Sequence, residues 1–534
     1  MLQIANIRLP LDADGEALKK RAAKLLHMSP KDLREIQLVK QSIDARKKSD
    51  LKLVYTVNVR VDDEAGVLRR ADASVKRLEK NAYHFPEHPT WSGSRPVVAG
   101  MGPAGLFAAL YLARGGIPPI VLERGRPVEQ RQRDVERFWQ TGLLDTRSNV
   151  QFGEGGAGTF SDGKLTTGTH DPRISAVLDT FVAFGAPCDV AYSFRPHVGT
   201  DVLRQVVANL RAELLRLGCE VRFETALTGL RIEGGRLTGV EATSERGKEV
   251  IPTDHLILAP GHSARDTFAM LHQAGLLMEA KPFAVGVRIE HHQDAISRAQ
   301  YGAGWDKLPP SDYHLSCHLP DGRSAFSFCV CPGGVVVASA SEEGRLVTNG
   351  MSYRARDGVN INGGFLVGVS PADYPGTDPL AGVRFQEQWE RAAYELGGGG
   401  FKAPAQLVGD FLQKRASSAG GAVKPTYRPG VNWTDVAGCL PDYVADTLRG
   451  SLPLLDRKVH GFAHSEAVLT GMESRSSSPL RVLRDETLQA NVRGIFPCGE
   501  GCGFAGGIMS AAVDGIRVAE AVALESAGNG KMFI

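Results

Sequence analysis

The chain has 534 residues, of which 43% are hydrophobic and 23% are charged, and its net charge at pH 7 is +2. This composition is typical of a globular protein, and the near balance of charge argues against strong polyanion binding by the chain as a whole. No apolar run has the length of a membrane span, the first residues lack a signal-peptide pattern, and the eight cysteines are too sparse for a disulfide scaffold. We therefore expect a cytoplasmic protein with free thiols and no membrane partner.

The first 90 residues are predicted to form a separate small α+β domain. Alternating apolar residues in 2–9 and 51–61 predict strands, and the spacing in 17–26 predicts a helix. This region carries 18 Lys and Arg against 13 Asp and Glu, which suits an acidic partner or RNA. Interleaved stacking aromatics are lacking, so a structural or docking role is favoured over nucleic-acid binding. The segment 86–94 is predicted to be a linker.

A βαβ unit follows at 95–124, with the sequence RPVVAGMGPAGLFAALYLARGGIPPIVLER. Two short apolar strands flank a Gly-x-Gly-x-x-Gly turn and an apolar helix, and Glu123 ends the second strand. The glycines of this pattern let the backbone approach a pyrophosphate, and the helix N-terminus presents free N–H groups to the phosphates. An acidic residue about 20 positions later suits ribose hydroxyls. The unit predicts dinucleotide binding.

A second unusual stretch lies at 149–168, where five glycines precede Lys164. Regular helices and strands tolerate such density poorly. We favour a loop whose backbone lies against a flat or phosphorylated ligand, because Phe152, Phe160 and Leu165 are apolar anchors that a flexible surface loop, the alternative, does not need.

Helices are predicted at 131–139, 175–184 and 201–217, and a meander at 230–251. From 281 the chain changes to short β-rich runs with turn signals, which predict an inserted, mainly antiparallel α+β domain ending near 478. A further strand–Gly–helix unit at 494–523 places another helix N-terminus at a ligand, nearly 400 residues after the first unit. Strands from distant parts of the chain are thus predicted to share one sheet and one large cofactor.

Together these residues resemble the two-dinucleotide-fold FAD proteins, the superfamily that contains glutathione reductase. The resemblance implies that Glu123 holds the adenosine ribose and Glu500 the ribitol chain. It also implies that the helix starting near Gly507 and Ile508 points at the flavin O2 and N1 region, where its dipole stabilises negative charge on the reduced flavin. The strand before Gly261 is similar to the superfamily's Ala-Thr-Gly element, with Pro260 in place of Thr.

The chain looks most like a family of bacterial FAD-dependent dehydrogenases with largely unassigned substrates. That resemblance rests on NVQFGEGGAGTFSDGKL, RPHVGTD, APGHSARD, FCVCPGG, NGMSYRARD and FPCGEGCGFAGGIMSAAVDG. The expected architecture is α/β, with a Rossmann-like FAD-binding domain at 95–280 and 479–534, the inserted domain at 281–478 and the N-terminal α+β domain at 1–90. The residues predicted to contact the cofactor are Gly100, Gly102, Pro103, Ala104, Gly105, Glu123, Arg124, Gly156, Ala157, Gly158, Ala226, Gly261, Gly499, Glu500, Gly507 and Ile508.

Catalytic residues are not identified by any motif, but two cations are candidates for chemistry or flavin tuning. Lys164 lies in the Gly-rich loop and Arg475 lies before the C-terminal unit; either could instead be a surface charge. His197 is a candidate proton donor or, more commonly for such a lone histidine, a structural hydrogen-bonding group.

Two cysteine pairs are candidates for redox or structural roles. Cys498 and Cys502 lie beside the predicted flavin, but their spacing differs from the usual redox Cys-x-x-Cys, so packing is favoured. Cys329 and Cys331 are predicted to share one face of a strand, where core packing is favoured over a disulfide or a zinc site. No metal is expected.

Three functions are compatible with these features. The first is an FAD-dependent oxidoreductase, a dehydrogenase that transfers hydride between a small organic substrate and flavin N5. The second is an RNA-modifying flavoprotein that uses the basic N-terminal domain, and the third is a protein with a structural or sensing FAD. No second dinucleotide-binding βαβ unit is visible, so NAD(P)H is expected only as a transient electron donor. The oligomeric state is left open.

Overall fold

A computed structural model describes residues 1–78, 83–86, 91 and 93–525. The end of the predicted 1–90 domain and most of the predicted 86–94 linker fall outside these ranges. No helix formed by the described residues is long and apolar enough to cross a membrane.

The N-terminal region folds as a four-stranded antiparallel sheet with two helices, in the strand order β2-β3-β1-β4. Its elements are β1 Leu2–Leu9, α1 Gly15–Leu25, β2 Glu35–Asp44, β3 Lys52–Arg60, α2 Glu64–Arg70 and β4 Val75–Arg77. In β1 the side chains of Leu2, Ile4, Ile7 and Leu9 lie in the core, because a register shift between Ile4 and Ile7 moves the buried face from even to odd positions. The backbone of Gln41 in β2 pairs with Tyr192 and Phe194, so this region is docked on the following one.

The next region begins with the predicted βαβ unit and continues past the meander to residue 280. Its strands are β5 Val97–Ala99, β6 Ile120–Leu122, β7 Glu220–Arg222, β8 Ala226–Glu233, β9 Arg236–Ser244, β10 Gly247–Pro252, β11 Leu256–Leu258 and β12 Met278–Ala280. Its helices are α3 Pro103–Arg114, α4 Val128–Thr141, α5 Arg173–Ala183, α6 Thr200–Arg216 and α7 Arg265–Gln273. Strands β8, β9 and β10 form the meander, as predicted.

The inserted region is built on a seven-stranded, largely antiparallel sheet with the order β14-β15-β18-β13-β21-β19-β20. Its strands are β13 Phe283–His292, β14 Ser316–His318, β15 Ser324–Cys331, β16 Val335–Ala338, β17 Thr348–Met351, β18 Asn360–Val369, β19 Ala403–Leu407, β20 Val431–Trp433 and β21 Val468–Glu473. Its helices are α8 Gln293–Tyr301, α9 Ala381–Leu396, α10 Val408–Leu412 and α11 Asp442–Asp456.

The chain then returns to the first sheet through β22 Leu480–Val482, β23 Ile495–Pro497 and α12 Ile508–Glu525. Short 3-10 helices connect elements along the chain at Pro30–Asp32, Ala157–Phe160, Cys188–Ala191, Gly302–Lys307, Pro371–Asp373 and Val436–Cys439. Strands β12 and β22 pair as a two-stranded ribbon where the chain leaves and re-enters the nucleotide-binding region.

The central parallel sheet has the order β23-β11-β5-β6-β7. Neighbouring strands are therefore separated by up to about 240 positions in the sequence, as for Leu256 in β11 and Ile495 in β23. The α/β fold with a parallel sheet is confirmed. Helices α3 and α12 pack directly against each other, and Gly515 allows this because a side chain there would overlap the backbone of Ala104. In such a sheet, ligands bind beyond the carboxyl ends of the strands.

Candidate functional site

A cleft opens at the carboxyl ends of β5, β11 and β23, between the parallel sheet and the inserted region. All but two of the eighteen residues predicted from the sequence line it. They are Gly100, Gly102, Pro103, Ala104, Glu123, Arg124, Gly156, Ala157, Gly158, Lys164, Ala226, Gly261, Arg475, Glu500, Gly507 and Ile508. Their contact with a cofactor stays a prediction, but the fold brings them to one place.

The two predicted residues outside the lining are glycines that allow close packing. A side chain on Gly105 would overlap the carbonyl of Gly100, so this glycine permits the first turn of α3 to lie against the strand. A Cβ on Gly499 would lie 2.6 Å from the Cβ of Ala104. Both glycines thus permit the close packing that forms the cleft, although neither lines it.

The N-terminus of α3 is arranged as an anion site. Gly102 precedes the helix without any side-chain cap, and Pro103 occupies the first turn. Gly100 has a φ of +105°, a conformation that favours glycine. The free N–H groups of this turn and the positive end of the helix dipole therefore face the cleft, where a pyrophosphate would satisfy them.

Glu123 is buried and holds the first loop to the second. Its carboxylate accepts hydrogen bonds from the backbone N–H groups of Met101 at 3.0 Å, Gly125 at 2.8 Å and Gly153 at 3.0 Å. Glu123, which is predicted to bind the adenosine ribose, therefore also connects the two glycine segments by hydrogen bonds. Beside it, the guanidinium of Arg124 lies 4.2 Å from the centre of the Phe152 ring and pairs with Asp266 at the edge of the cleft.

The Gly-rich loop at 149–168 is an ordered wall of the cleft, and Phe152, Phe160 and Leu165 are buried as anchors. Three segments meet here. A Cβ on Gly156 would lie 2.9 Å from the Cα of Gly102, and a Cβ on Gly158 would lie 2.9 Å from Cγ1 of Ile508 at the start of α12. The buried anchors and these close approaches favour a loop that faces a ligand over the alternative, a flexible surface loop.

Arg131, which the sequence analysis did not select, holds this loop in shape. Its side chain is fully buried, and its guanidinium donates to the carbonyls of Asn149 (2.8 Å), Val150 (2.8 Å), Glu154 (2.6 Å) and Gly156 (2.9 Å), with a longer bond to Gly153. A signal was available: Arg131 lies on the buried stripe of the amphipathic α4 together with Val135 and Phe138. A cation on such a stripe indicates buried partners.

His262 is a second residue that the sequence analysis missed. It directly follows Gly261, and its Nδ1 lies 3.0 Å from the Glu500 carboxylate. Its Nε2 is buried and has no hydrogen-bond partner among the described residues, and the side chain lines the cleft. An unpaired buried nitrogen at this position is available to a ligand. The sequence signal was the motif Gly-His-Ser at the end of an apolar strand.

The two candidate cations are partly or fully buried, so neither is a plain surface charge. The ammonium of Lys164 donates to the carbonyl of Val330 and lies 3.7 Å from Asp312, and burial lowers its pKa. Arg475 is committed to a buried ionic network, in which its guanidinium binds Glu390 at 2.9 Å and Glu342 at 3.0 Å. Lys164 is the freer of the two to act on a ligand.

His197 lies outside the cleft lining. Its Nε2 is 3.1 Å from the carbonyl of Arg354, and burial lowers the pKa of the imidazole to about 4. The imidazole is therefore neutral at physiological pH, and the contacts favour the structural role over proton donation.

Cys498 and Cys502 are fully buried. The Sγ of Cys502 donates to the carbonyl of Leu258 at 3.2 Å, and burial raises its pKa to about 12. Burial also raises the pKa of Cys498. High thiol pKa values keep both residues protonated and unreactive, which favours the packing role. Within the described part of the chain, no cluster of His, Cys, Asp or Glu could hold a metal ion.

A family model described as "FAD-dependent protein, C-terminal domain-like" matches residues 282–476, and a domain of unknown function matches 1–60. The first match covers the inserted region and is to a family described as FAD-dependent, which is consistent with the parallel sheet and the cleft.

The family itself follows from a relative in Clostridium beijerinckii. That sequence, known as "Uncharacterized protein", is 49% identical over 525 residues, which cover 97% of this chain and 98% of the relative. The chain belongs to the same family as this protein.

Solved flavoprotein structures show only distant similarity. A triple mutant of the flavin-dependent brominase Bmp2 has a TM-score of 0.38 at 13% identity, covering 82% of this chain and 81% of its own. E. coli quinol fumarate reductase FrdA has 0.37 at 11%, covering 83% and 71%. A geranylgeranyl bacteriochlorophyll reductase-like protein of Thermoplasma acidophilum has 0.36 at 14%, covering 81% and 78%.

Proposed function

We propose that this protein is an FAD-dependent dehydrogenase that transfers hydride between a small organic substrate and flavin N5. One observation carries the proposal: two strand–Gly–helix units from opposite ends of the chain meet in one cleft, and the inserted sheet forms its other wall. A long cofactor fits the first part of the cleft, and the remaining wall is left for a substrate.

The residues present suit FAD. The uncapped N-terminus of α3 would hold the pyrophosphate, and Glu123 would lie at the adenosine ribose. Glu500 and the unpaired Nε2 of His262 would lie along the ribitol chain, with the N-terminus of α12 at the far end. Gly506 and Gly507 are exposed there, so backbone N–H groups can reach a ligand. When bound, FAD supplies a two-electron acceptor or donor.

The inserted region supplies the substrate wall. Its contributions to the cleft include His314, Ser327, Phe328 and Asn349. Hydroxyl and amide groups beside an aromatic ring suit a small organic molecule with a few polar groups. Burial lowers the pKa of His314, so the imidazole is neutral at pH 7 and can accept a proton from a substrate.

The N-terminal region supports docking more than RNA binding. Its strand β2 contributes backbone hydrogen bonds to the region at 192–194, with Gln41 N–H 2.8 Å from the carbonyl of Tyr192. The backbone of this edge strand is therefore already hydrogen-bonded to another segment of the same chain. Salt-sensitive co-purification of RNA would instead support the alternative of an RNA-modifying flavoprotein.

The cofactor assignment is tested by Glu123→Gln, with Glu136→Gln as a matched control on the exposed face of α4. Each protein is stripped of flavin, checked for folding by circular dichroism, and titrated with FAD. Loss of the carboxylate charge is expected to weaken FAD binding roughly 10- to 100-fold, which corresponds to about 1.4–3 kcal/mol. Unchanged affinity in a folded Glu123→Gln protein would overturn the ribose assignment.

The electron donor is tested by anaerobic titration with NADH and then NADPH while flavin absorbance is followed. Bleaching by either would establish a pyridine-nucleotide donor, which we propose binds only transiently. Absence of bleaching by both, followed by bleaching with an organic substrate, would favour a dehydrogenase that takes its electrons from that substrate. A flavin that no donor reduces would favour the structural or sensing role.

A further inference from the structure

Strand β15 is irregular at Cys329, which changes the relation of this residue to Cys331. Its pairing with β18 shifts register between Phe328 and Cys331, and Cys329 has a φ of +40°. A left-handed backbone is costly for a residue with a Cβ. The regular strand geometry on which the sequence prediction rested is therefore absent. Cys329 lines the cleft, whereas Cys331 is fully buried behind it.

Two cations contact the backbone of this pair. Arg288, itself fully buried, donates to the carbonyl of Cys329 at 3.0 Å and lies 3.8 Å from Sγ of Cys331. Its Nε has no hydrogen-bond partner among the described residues. Lys164 donates to the carbonyl of Val330, the residue between the two cysteines. Glu473 balances part of this charge through a 3.0 Å ion pair with Arg288.

The two thiols differ in acidity. The neighbouring Cys331 thiol, together with Arg288 and Lys164, lowers the pKa of Cys329 to about 7, although burial and Glu473 oppose this. The Cys329 thiol and burial raise the pKa of Cys331. An accessible thiolate next to a buried protonated thiol is the usual arrangement of an attacking and a resolving cysteine.

We propose that Cys329 and Cys331 form a two-electron dithiol site that opens on the cleft and accepts small disulfides. The Cys329 thiolate attacks one sulfur of the substrate disulfide, so that a mixed disulfide forms and one substrate thiolate leaves. Cys331 then loses its proton and attacks the Cys329 sulfur, which forms the Cys329–Cys331 disulfide and releases the second substrate thiolate. Two protein thiols are oxidised and one substrate disulfide is reduced.

The exchange step stands on the cysteine pair and the cleft alone. Only the return to the dithiol rests on the proposed function, because it needs two electrons and two protons, for which reduced flavin is the donor. The first half of the reaction can therefore be measured separately from any flavin turnover.

The test uses 4,4′-dithiodipyridine on the full chain carrying Cys188→Ser, which removes an exposed cysteine. The reaction is run on the flavin-free and the FAD-saturated protein. We expect this parent protein to release two equivalents of thiopyridone per equivalent of probe and to keep no adduct. With Cys331→Ser added, one equivalent is released and the pyridyl adduct stays on Cys329. With Cys329→Ser added, release is at least about tenfold slower.

A stable pyridyl adduct on Cys329 in the flavin-free parent protein would overturn the inference, as would equal reactivity of the flavin-free Cys329→Ser variant. Because Cys331→Ser keeps the attacking residue, it gives an independent reading if Cys329→Ser fails to fold. A protein that shows the expected release but binds no FAD would refute the proposed function and leave this inference intact. A protein that binds FAD, but whose flavin-free form keeps the pyridyl adduct, would overturn this inference and leave the proposed function intact.

Discussion

Arg131→Met is expected to open the Gly-rich loop and weaken the cofactor site without contacting the cofactor itself. Burial lowers the pKa of Arg131 to about 10, so the guanidinium is still charged at pH 7. It donates to five backbone carbonyls between 149 and 156. Each such bond to a charged donor contributes about 1.5–3 kcal/mol. The contributions are not additive, and removing the buried charge recovers its desolvation cost.

We therefore expect local opening of the loop to become easier by about 3 kcal/mol, which is the upper end of the range for one hydrogen bond to a charged group. At 1.4 kcal/mol per factor of ten, this corresponds to about 100-fold faster hydrogen exchange in peptides that cover 149–160. Hydrogen–deuterium exchange with mass spectrometry measures it directly. Arg133→Met, on the exposed side of α4, is the matched control. Equal exchange in the two variants would refute the clamp role of Arg131.

Three further outcomes are expected. Gly156→Ala should reduce flavin content, because φ at this position is +63° and a Cβ would lie 2.9 Å from the Cα of Gly102. Gly168→Ala, which has open space around it, should not reduce flavin content. Flavin absorbance per chain measures the difference, and equal loss in both variants would contradict the prediction. Glu390→Gln should lower the thermal midpoint, because two buried arginines lose their shared carboxylate at a cost of about 3–5 kcal/mol, while the partly exposed Glu387→Gln should have a small effect. Burial raises the pKa of Glu154 from 4.5 to about 7, so the folded chain takes up a proton that the unfolded chain does not between these values. Stability should then fall from pH 5 to pH 8 by up to about 3 kcal/mol, and a Glu154→Gln protein whose melting depends on pH as the parent's does would contradict this.

Much of the nucleotide-binding site was predictable because it is encoded over short distances. The glycine spacing at 100–105, the apolar helix α3 and Glu123 at a strand end all follow from residues within one βαβ unit. The C-terminal Gly-rich turn before α12 is similar. In each case the backbone conformation that glycine permits and the position of a helix N-terminus are local properties.

Local sequence patterns did not predict secondary structure or side-chain direction where a helix or strand is irregular. The sequence analysis contains no helix at 442–456, where the structure forms α11 with Gly450 and Pro453 inside it. The alternation of β15 suggested that two cysteines share one face, but a register shift at Cys329 interrupts it. In both places the packing of the inserted sheet outweighs the local preference.

The sequence by itself therefore determined the class of fold, the parallel nucleotide-binding unit and a set of residues of which all but two line the cleft. Only the tertiary structure decided how those residues are held: Arg131 under the Gly-rich loop, Arg475 with Glu390, and Arg288 beside the cysteines. These partners are separated by roughly 20 to 85 positions, and their pairing depends on which buried charges the assembled fold brings within hydrogen-bonding distance. A buried charge must find its partner wherever the fold places one, and no local pattern records that position.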